Sequence, residues 1–188
     1  MRKLKLQMQQ SLDGFMARPN GDLDWMIWDW DEELKEYGNE LTAPVDLILL
    51  GRKMSDGFLG HWSAVAANPE DPEHSFGRIM NDTPKIVFSR TLQTIEGNNT
   101  SLLKEASPEV IHELKAKPGG DIIVYGGANF VSGLFQQGLI DEFYLFINPV
   151  AIGKGLSIFN NLRQNRQLKL QHARAFSCGV AVLVYQPA

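Results

Sequence analysis

The sequence lacks the features that mark several common protein classes. It holds one cysteine, Cys178, so the chain cannot form an internal disulfide, and we interpret this thiol as a buried or turn residue. The apolar runs are too short to cross a bilayer. The amino terminus alternates polar with apolar residues, as a strand does, and does not lead into a signal-peptide core. We therefore expect a cytoplasmic protein that does not enter a membrane.

A basic excess and metal-ligand spacings are missing as well. The chain has 18 Lys and Arg against 22 Asp and Glu, a formal charge of −4, which gives no basic stripe for a nucleic acid. The four histidines are scattered and no cysteine cluster accompanies them, so we expect no metal site. Neither Gly-x-Gly-x-x-Gly nor Gly-x-x-x-x-Gly-Lys-Ser/Thr opens a first nucleotide-binding unit.

What remains predicts one α/β domain spanning residues 1–188. With 44% hydrophobic residues, a chain of 188 residues can bury one good core. Apolar strands alternate with helical patterns, including a helix that Ser107 caps and Pro108 begins. After Gly138 short strands follow one another, the last two forming a hairpin around 177–179. The pattern indicates a mixed sheet, parallel in the middle and antiparallel at its carboxyl-terminal edge.

The most informative stretch is residues 121–130, Asp-Ile-Ile-Val-Tyr-Gly-Gly-Ala-Asn-Phe. An apolar strand stops at Gly126 and Gly127, and an amphipathic helix starts at once. Glycines let a ligand approach the backbone, and the N–H groups of a helix's first turn attract anions. A pyrophosphate would fit there. The alternative is a plain strand-to-helix turn that uses glycine for its conformational freedom.

Two earlier strands also end in groups that suit phosphate. Residues 47–54 place Gly51, Arg52 and Lys53 after an apolar run, and residues 84–91 place Ser89 and Arg90 after another. Arginine suits bidentate phosphate recognition, and ligands of open α/β sheets gather at the carboxyl ends of the strands. These cations could instead be solvated loop residues. Three such strand ends in an acidic chain nevertheless favour a nucleotide site.

Taken in order, these segments resemble those of the dihydrofolate reductase-like proteins, in particular the stand-alone relatives of the reductase domain of bacterial riboflavin biosynthesis. The resemblance rests on five segments that span nearly the whole chain: residues 10–17 (Gln-Ser-Leu-Asp-Gly-Phe-Met-Ala), 50–54 (Leu-Gly-Arg-Lys-Met), 85–91 (Lys-Ile-Val-Phe-Ser-Arg-Thr), 124–128 (Val-Tyr-Gly-Gly-Ala) and 148–155 (Asn-Pro-Val-Ala-Ile-Gly-Lys-Gly). It implies a dihydrofolate reductase-like three-layer fold with helices flanking the sheet.

The resemblance also implies an NADPH-dependent oxidoreductase that works as a homodimer. The cofactor would lie across the carboxyl ends of the strands, with its pyrophosphate between the two glycine turns and its 2′-phosphate at Ser89 and Arg90. A phosphate on the ribose calls for a cation where an NAD site would place a carboxylate, so we expect NADPH rather than NADH. The cofactor residues expected in this way are Leu12, Asp13, Gly51, Arg52, Lys53, Ser89, Arg90, Thr91, Tyr125, Gly126, Gly127, Ala128 and Asn129.

The substrate side is less defined by the sequence. Trp25, Trp28 and Trp30 lie among aspartates, and their rings could stack on a flat nitrogen heterocycle or pack a helix entrance or a subunit interface. Dihydrofolate reductase anchors its substrate with one acid on the first helix. We take Asp31 as that acid and the proton donor, with Glu33 and Asp29 as alternatives.

Several substrates and one other function stay open. The small-molecule substrate could be a ribosylamino-pyrimidine, a pterin, or another carbonyl or imine compound. Because no deaminase domain with a zinc motif is present, the chain cannot perform the preceding step of riboflavin synthesis. The alternative from another class is a non-catalytic module that senses NADPH or a related nucleotide on the same fold.

Overall fold

The computed structural model describes residues 1–160, 162 and 164–188. Within them the chain forms eight strands and five helices. The strands are β1 (Leu4–Ser11), β2 (Val45–Gly51), β3 (Lys85–Phe88), β4 (Thr100–Leu103), β5 (Asp121–Gly126), β6 (Glu142–Asn148), β7 (Leu168–Ala175) and β8 (Ala181–Pro187). The helices are α1 (Glu32–Thr42), α2 (Arg52–Ala67), α3 (His74–Asp82), α4 (Pro108–Ala116) and α5 (Ala128–Gln136).

All eight strands belong to one sheet, in the order β4-β3-β2-β5-β1-β6-β8-β7. The first six of that order are parallel to one another, whereas β8 runs antiparallel to both β6 and β7. The carboxyl ends of β1 to β6 therefore lie at one edge of the sheet, called the carboxyl edge here, and the loop between β7 and β8 lies at the same edge. The mixed sheet confirms the predicted fold class.

Two buried clusters, one on each face of the sheet, give the molecule its three layers. On one face α4 and α5 contribute Ile111, Leu114 and Val131, which pack against strand residues such as Leu6 and Val124. The other face carries α1, α2 and α3 on a second cluster. Alternate residues of a strand point to opposite faces, which is why neighbouring residues of β2, β3, β5 and β6 divide between the two clusters.

Local signals place most of the helix boundaries where the sequence predicted them. The Ser107 hydroxyl accepts a hydrogen bond from the amide N of Val110, and Pro108 is the first residue of α4. Gly138, at φ 68°, follows α5. The β7–β8 hairpin turns at residues 176–180, as predicted. Strand β4 was not predicted, because four residues of mixed polarity carry too short a pattern.

None of the helices in the described ranges is long and apolar enough to cross a membrane.

Candidate cofactor site and substrate cleft

Three helices begin at the carboxyl edge, directly after parallel strands. Helix α2 follows β2 at Gly51, α5 follows β5 at Gly127, and α4 follows β4 through the Ser107 cap. The N-caps of α2 and α5 are glycines, so neither provides a side chain that accepts from the first-turn N–H groups. These orphan donors and the positive ends of two helix dipoles favour an anion at this place.

The two glycine turns lie against each other. A Cβ atom built on Gly127 would stand 3.6 Å from Cα of Gly51, and one built on Gly51 would stand 2.8 Å from Cβ of Phe130. Gly127 has φ 84°, in the region that favours glycine. The structure thus brings together the two turns that the sequence predicted as a pair, and a side chain at Gly51 would collide with Phe130.

Two predicted cations stand at the start of α2. Arg52 and Lys53 are the first residues of that helix and both are exposed. Within the described part of the chain, no carboxylate lies within 4.0 Å of either cation. Positive side chains at a helix N-terminus oppose the helix dipole, so this arrangement is unfavourable unless an anion binds there.

Next to these turns, a cavity of about 450 Å³ opens between β3, β4 and the first turns of α5. Its apolar wall includes Phe88 and Phe130, whose rings stack at 5.2 Å between centroids. Its polar wall includes Ser89, Arg90 and Asn129, three of the residues predicted to bind the cofactor. The combination of a flat aromatic surface with cationic and hydroxyl groups suits a nucleoside that carries phosphate.

Ser89 and Arg90 differ in how freely their side chains can meet a ligand. The hydroxyl of Ser89 accepts hydrogen bonds from the backbone N–H groups of Thr91 (3.2 Å) and Leu92 (3.0 Å), so it shapes the turn and retains only its own proton to donate. Arg90 is 79% exposed, and its Nη2 donates to Oε2 of Glu105 at 3.0 Å. Thr91 is exposed beside them.

Among the cavity residues that the sequence analysis did not assign to the site are three polar ones, Lys104, Glu105 and Ser107. They follow β4, the strand that was not predicted, so nothing in the sequence placed them beside β3. The parallel pairing of β3 with β4, from Lys85–Thr100 to Phe88–Leu103, brings them to the cavity. A signal did exist in the Ser107 cap, which marked a helix N-terminus without showing what it faced.

The loop after β1 carries two more predicted cofactor residues. Leu12 is 71% exposed at the carboxyl edge, an apolar side chain available to a ligand. The carboxylate of Asp13 accepts from the Ser11 hydroxyl (2.6 Å) and from the backbone N–H groups of Ile152 (3.1 Å) and Gly153 (2.7 Å), and these bonds, the first above all, lower its pKa. Asp13 therefore ties its loop to the segment after β6.

Tyr125 lies at the predicted place in the chain, but its side chain points away from the cavity. It is on the face of α2 and α3, where its ring is 5.4 Å from that of Phe58 and its hydroxyl donates to Sδ of Met80. Burial raises the pKa of Tyr125. The Tyr125 side chain thus belongs to the core on the α2 and α3 side of the sheet, and not to the predicted cofactor site.

Between α1 and α2 the sheet is incompletely covered at Gln7 and Gln9 of β1, and this part of the face, called the cleft here, has a polar floor that the sequence analysis also missed. Strand β1 points Leu4, Leu6 and Met8 at the α4–α5 face, so Gln7 and Gln9 lie on the opposite face, half-buried in the middle of the sheet. Alternation in the sequence indicated the strand but could not show that both of its faces lie inside the sheet's two helix layers. Gln7 is paired in register with Tyr144 of β6, and Gln9 with Phe146.

The floor combines one unused acceptor with groups that are already paired. The Oε1 atom of Gln7 is buried and has no hydrogen-bond partner among the described residues. By contrast, Oε1 of Gln9 accepts from Nδ2 of Asn148 at 2.8 Å, and the Tyr144 hydroxyl donates to Glu142 at 2.9 Å. A buried acceptor without a donor is costly, and a ligand that offers an N–H or O–H group would satisfy it.

Asp31, the predicted catalytic acid, is fully engaged by the fold. It is the N-cap of α1, and Oδ1 accepts from the Leu34 amide N at 2.8 Å. Its other oxygen, Oδ2, accepts from the Ser177 hydroxyl (2.7 Å) and the Cys178 amide N (2.8 Å) in the β7–β8 turn. These bonds, led by that of Ser177, lower the pKa of Asp31 to about 2. Because such a carboxyl holds no proton at neutral pH, the geometry gives Asp31 a structural role and argues against the predicted proton donor.

Both alternatives to Asp31 are exposed carboxylates. Glu33 forms an ion pair with Arg174 of β7 at 3.1 Å, and Asp29 is exposed. Of the three tryptophans, Trp30 stacks on Phe146 at 5.5 Å, as the packing alternative predicted. Trp25 is buried.

Trp28 differs from the other two tryptophans because 66% of it is exposed, which leaves its ring available to a ligand.

Comparison with known proteins agrees with this architecture. The model of the RibD C-terminal domain family matches residues 2–182, and the chain therefore belongs to that family. It is 36% identical over 186 residues to the uncharacterized protein YyaP of Bacillus subtilis (strain 168), covering 98% of this chain and 94% of that protein.

Two further matches are with longer proteins, of which this chain covers about half. The chain is 25% identical over 160 residues to riboflavin biosynthesis protein RibD of Corynebacterium ammoniagenes, covering 81% of this chain but 44% of that protein. Among solved structures, the diaminohydroxyphosphoribosylaminopyrimidine deaminase/5-amino-6-(5-phosphoribosylamino)uracil reductase of Thermotoga maritima matches with a TM-score of 0.69 at 16% identity, over 100% of this chain and 57% of that one. At that identity the match supports the fold alone.

Proposed function

We propose that the protein is an NADPH-dependent reductase that transfers a hydride to a small heterocyclic, carbonyl or imine compound. The observation that carries the proposal is the convergence of two helix N-termini, α2 and α5, at glycine turns that bear Arg52 and Lys53 and adjoin the cavity at Arg90. Membership of a reductase-domain family supports it.

The residues present fit this cofactor. The N–H groups at the starts of α2 and α5 would hold the pyrophosphate, with Arg52 and Lys53 adding charge. Phe88 and Phe130 would face the adenine, and Arg90 would bind the 2′-phosphate. When bound, the reduced nicotinamide supplies the hydride that the acceptor carbon of the substrate takes up.

The substrate would lie in the cleft between α1 and α2, above Gln7. Helix α1 covers the β6–β8 side of this face, where Tyr37 contacts Phe146 and Phe176, and α2 covers the β5 side through Phe58. The unpartnered Oε1 of Gln7 favours a substrate with an N–H group, as planar nitrogen heterocycles have. Trp28, in the loop between β1 and α1, has an exposed ring that would stack on such a planar substrate.

The proton that accompanies the hydride would come from water that enters the cleft. Asp31 is ionised, and its oxygens already accept hydrogen bonds from the fold. Burial raises the pKa of the Tyr125 hydroxyl, and burial and the hydrogen bond to Glu142 raise the pKa of the Tyr144 hydroxyl, so both tyrosines keep their protons. Catalysis in this proposal therefore rests on positioning, which can by itself supply much of a rate enhancement.

The test is a titration of the purified protein with NADPH and with NADH, followed by tryptophan quenching and energy transfer to the reduced nicotinamide. We expect NADPH to bind more tightly. Replacing Arg90 with Ala should weaken NADPH about 10- to 100-fold, because it removes charge-assisted hydrogen bonds of about 1.5–3 kcal/mol, and should change NADH less than about twofold. Arg78→Ala, an exposed arginine of α3, is the control.

Three results would count against the proposal: equal affinity for both nucleotides, an unchanged preference in Arg90→Ala, or no binding of either. If NADPH binds but a panel of pterins, pyrimidines and carbonyl compounds causes no NADPH oxidation, the binding part stands and the catalytic part fails.

That last outcome would favour a nucleotide sensor on the same fold, our second candidate. The state of Asp31 is the observation that favours it, because the expected acid cannot donate a proton at neutral pH. A homodimer, one domain and a cytoplasmic location are further expectations from the sequence. A mass measurement in solution tests the first of them.

A further inference from the structure

The cavity that would bind the adenosine end of the cofactor contains charges of both signs. Arg90 and Lys104 are positive and Glu105 is negative, and all three line the same wall. A site that binds only a phosphorylated ribose needs the cations, whereas a site for the free ribose commonly uses a carboxylate that accepts from the 2′-hydroxyl. This chain places both kinds of group together.

The carboxylate and the guanidinium are in direct contact. Nη2 of Arg90 donates to Oε2 of Glu105 at 3.0 Å, while both side chains stay largely exposed, at 79% and 59%. This bond uses one of the five N–H donors of the guanidinium, so the remaining donors can still meet a phosphate. A phosphate bound to Arg90 would then lie close to the carboxylate as well.

We propose that Glu105 determines how strongly this cavity distinguishes a nucleotide with a 2′-phosphate from one without it. The inference rests on the proposed cofactor site. The Glu105 carboxylate repels a 2′-phosphate held by Arg90, and it accepts a hydrogen bond from a free 2′-hydroxyl. The protein therefore prefers NADPH less strongly than Arg90 and Lys104 alone would make it.

The expected size of the effect follows from the charges involved. A phosphate monoester carries about −1.5 to −2 charges at pH 7, and its repulsion by a carboxylate a few Å away in an exposed site amounts to about a threefold to tenfold change in affinity. Repulsion of this kind weakens with salt, because the Debye length falls from about 10 Å at 0.1 M to about 3 Å at 1 M.

The experiment compares the unmodified protein with Glu105→Gln, which keeps the shape of the side chain and removes the charge. Adenosine 2′,5′-bisphosphate and adenosine 5′-monophosphate are titrated by calorimetry, and NADPH and NADH by energy transfer from tryptophan. The bisphosphate and NADPH should bind about three to ten times more tightly to the variant at low salt, with a smaller gain near 1 M salt. The monophosphate and NADH should bind equally or more weakly.

Glu113→Gln is the matched control. Glu113 is also an exposed glutamate in a surface ion pair, with Lys117 at 3.5 Å on α4, and it does not line the cavity. It should change no affinity by more than about twofold, because an exposed charge outside the cavity is further from the bound phosphate than one that lines it.

The outcomes separate this inference from the proposed function. If the unmodified protein prefers NADPH and Glu105→Gln leaves the ratio of the two affinities within twofold, the role of Glu105 is overturned and the cofactor site stands. The role is also overturned if Glu113→Gln shifts the ratio equally. If the unmodified protein binds none of the four nucleotides, both the cofactor site and the role of Glu105 fail.

Discussion

The two edges of the sheet differ in whether their cations are paired with carboxylates. At the edge where the parallel strands begin, four cations are paired with carboxylates: Arg2 with Asp46, Lys3 with Glu142, Lys5 with Asp121, and Lys115 with Asp141. The buried Lys85 at this edge donates instead to the carbonyl oxygens of Met80, Asn81 and Thr83. At the carboxyl edge, Arg52 and Lys53 stand at the start of α2 with no carboxylate in reach among the described residues, and Arg90 has only an exposed partner.

This difference indicates that the cations of the first edge stabilise the fold, whereas those of the carboxyl edge are placed to bind an anion. A buried cation must be paired, because an isolated charge in an apolar interior is very unfavourable. Lys115 meets that requirement inside the protein. Exposed cations at a helix N-terminus oppose the helix dipole and are favourable only with an anion present. Substitutions at the first edge should thus lower stability, and substitutions at the second should lower binding.

The largest expected effect on binding comes from Gly127→Ala. At φ 84° and ψ 102° an alanine is strained, which should lower the free energy of unfolding by about 1–3 kcal/mol. Relief of that strain would turn the first N–H groups of α5 away from the anion. NADPH affinity should fall about 10- to 100-fold by fluorescence titration, since each lost charge-assisted bond amounts to about 1.5–3 kcal/mol.

Gly57→Ala is the control for that variant. Gly57 lies inside α2, and a Cβ built on it meets nothing within 4 Å. Alanine should raise helix stability there by up to about 1 kcal/mol and leave NADPH affinity unchanged. Unimpaired binding by a folded Gly127→Ala variant would disprove the anion site at α5.

At the opposite edge, Lys115→Met should lower stability without affecting the cofactor. Nζ of Lys115 donates to the Leu139 carbonyl oxygen (2.7 Å) and to Asp141 (2.6 Å), and the residue is buried. Its loss leaves a carbonyl and a carboxylate unpaired, which should reduce the free energy of unfolding in urea by about 2–4 kcal/mol.

Lys117→Met tests whether burial causes that loss. Lys117, the residue that follows α4, pairs with Glu113 at 3.5 Å, but both side chains are exposed. The expected change is below about 0.5 kcal/mol. If the two lysine variants lose the same stability, or if Lys115→Met weakens NADPH, the division of roles between the edges is wrong.

Asp31 is an exception at the carboxyl edge, because its charged carboxylate stabilises the fold by capping α1 and binding the β7–β8 turn. Its pKa is about 2 in the folded protein and about 3.9 in an unfolded chain, so its ionised form stabilises the fold above about pH 4 and that contribution disappears as the pH falls through about 2. Asp31→Asn, which keeps a capping oxygen, should have a lower melting temperature than the unmodified protein at pH 7. This difference in melting temperature should become smaller as the pH falls toward 2.

Asp31→Ala removes the cap as well and should melt lower than Asp31→Asn at every pH. Glu32→Gln, in the same helix turn, serves as the control, because Glu32 forms only an exposed pair with Lys35. A large loss of turnover in Asp31→Asn with no change in its melting behaviour would restore the catalytic role that the sequence suggested.

Much of the fold could be predicted because strong local signals agreed with the final architecture. Uninterrupted apolar runs such as 47–50 and 122–124 are strands buried on both faces, and the Ser107–Pro108 pair marks a helix start that tertiary packing leaves in place. The turn at Gly127 was predictable for the same reason, since few residues other than glycine tolerate its φ of 84°.

The rest depended on which segments become neighbours. Lys104 and Glu105 reach the cavity only through the pairing of β4 with β3, and Gln7 becomes a cleft floor only because β1 lies inside the sheet. Asp31 looked like a catalytic acid because the sequence shows a carboxylate before a helix and cannot show the Ser177 hydroxyl that occupies it. These parts of the site depend on contacts between segments that are distant in the sequence, which local sequence patterns do not reveal.

The central place of β1 also affects how the chain must fold. Leu4 pairs with Ile122 of β5, and Lys5 pairs with Glu142 of β6, so β1 is synthesised long before its two neighbours in the sheet. Closing loops of that length makes folding slow, because their entropy is lost before the contacts form. During synthesis the apolar side of β1 therefore has no neighbouring strands to join until β5 has been made, and such exposed apolar segments favour aggregation.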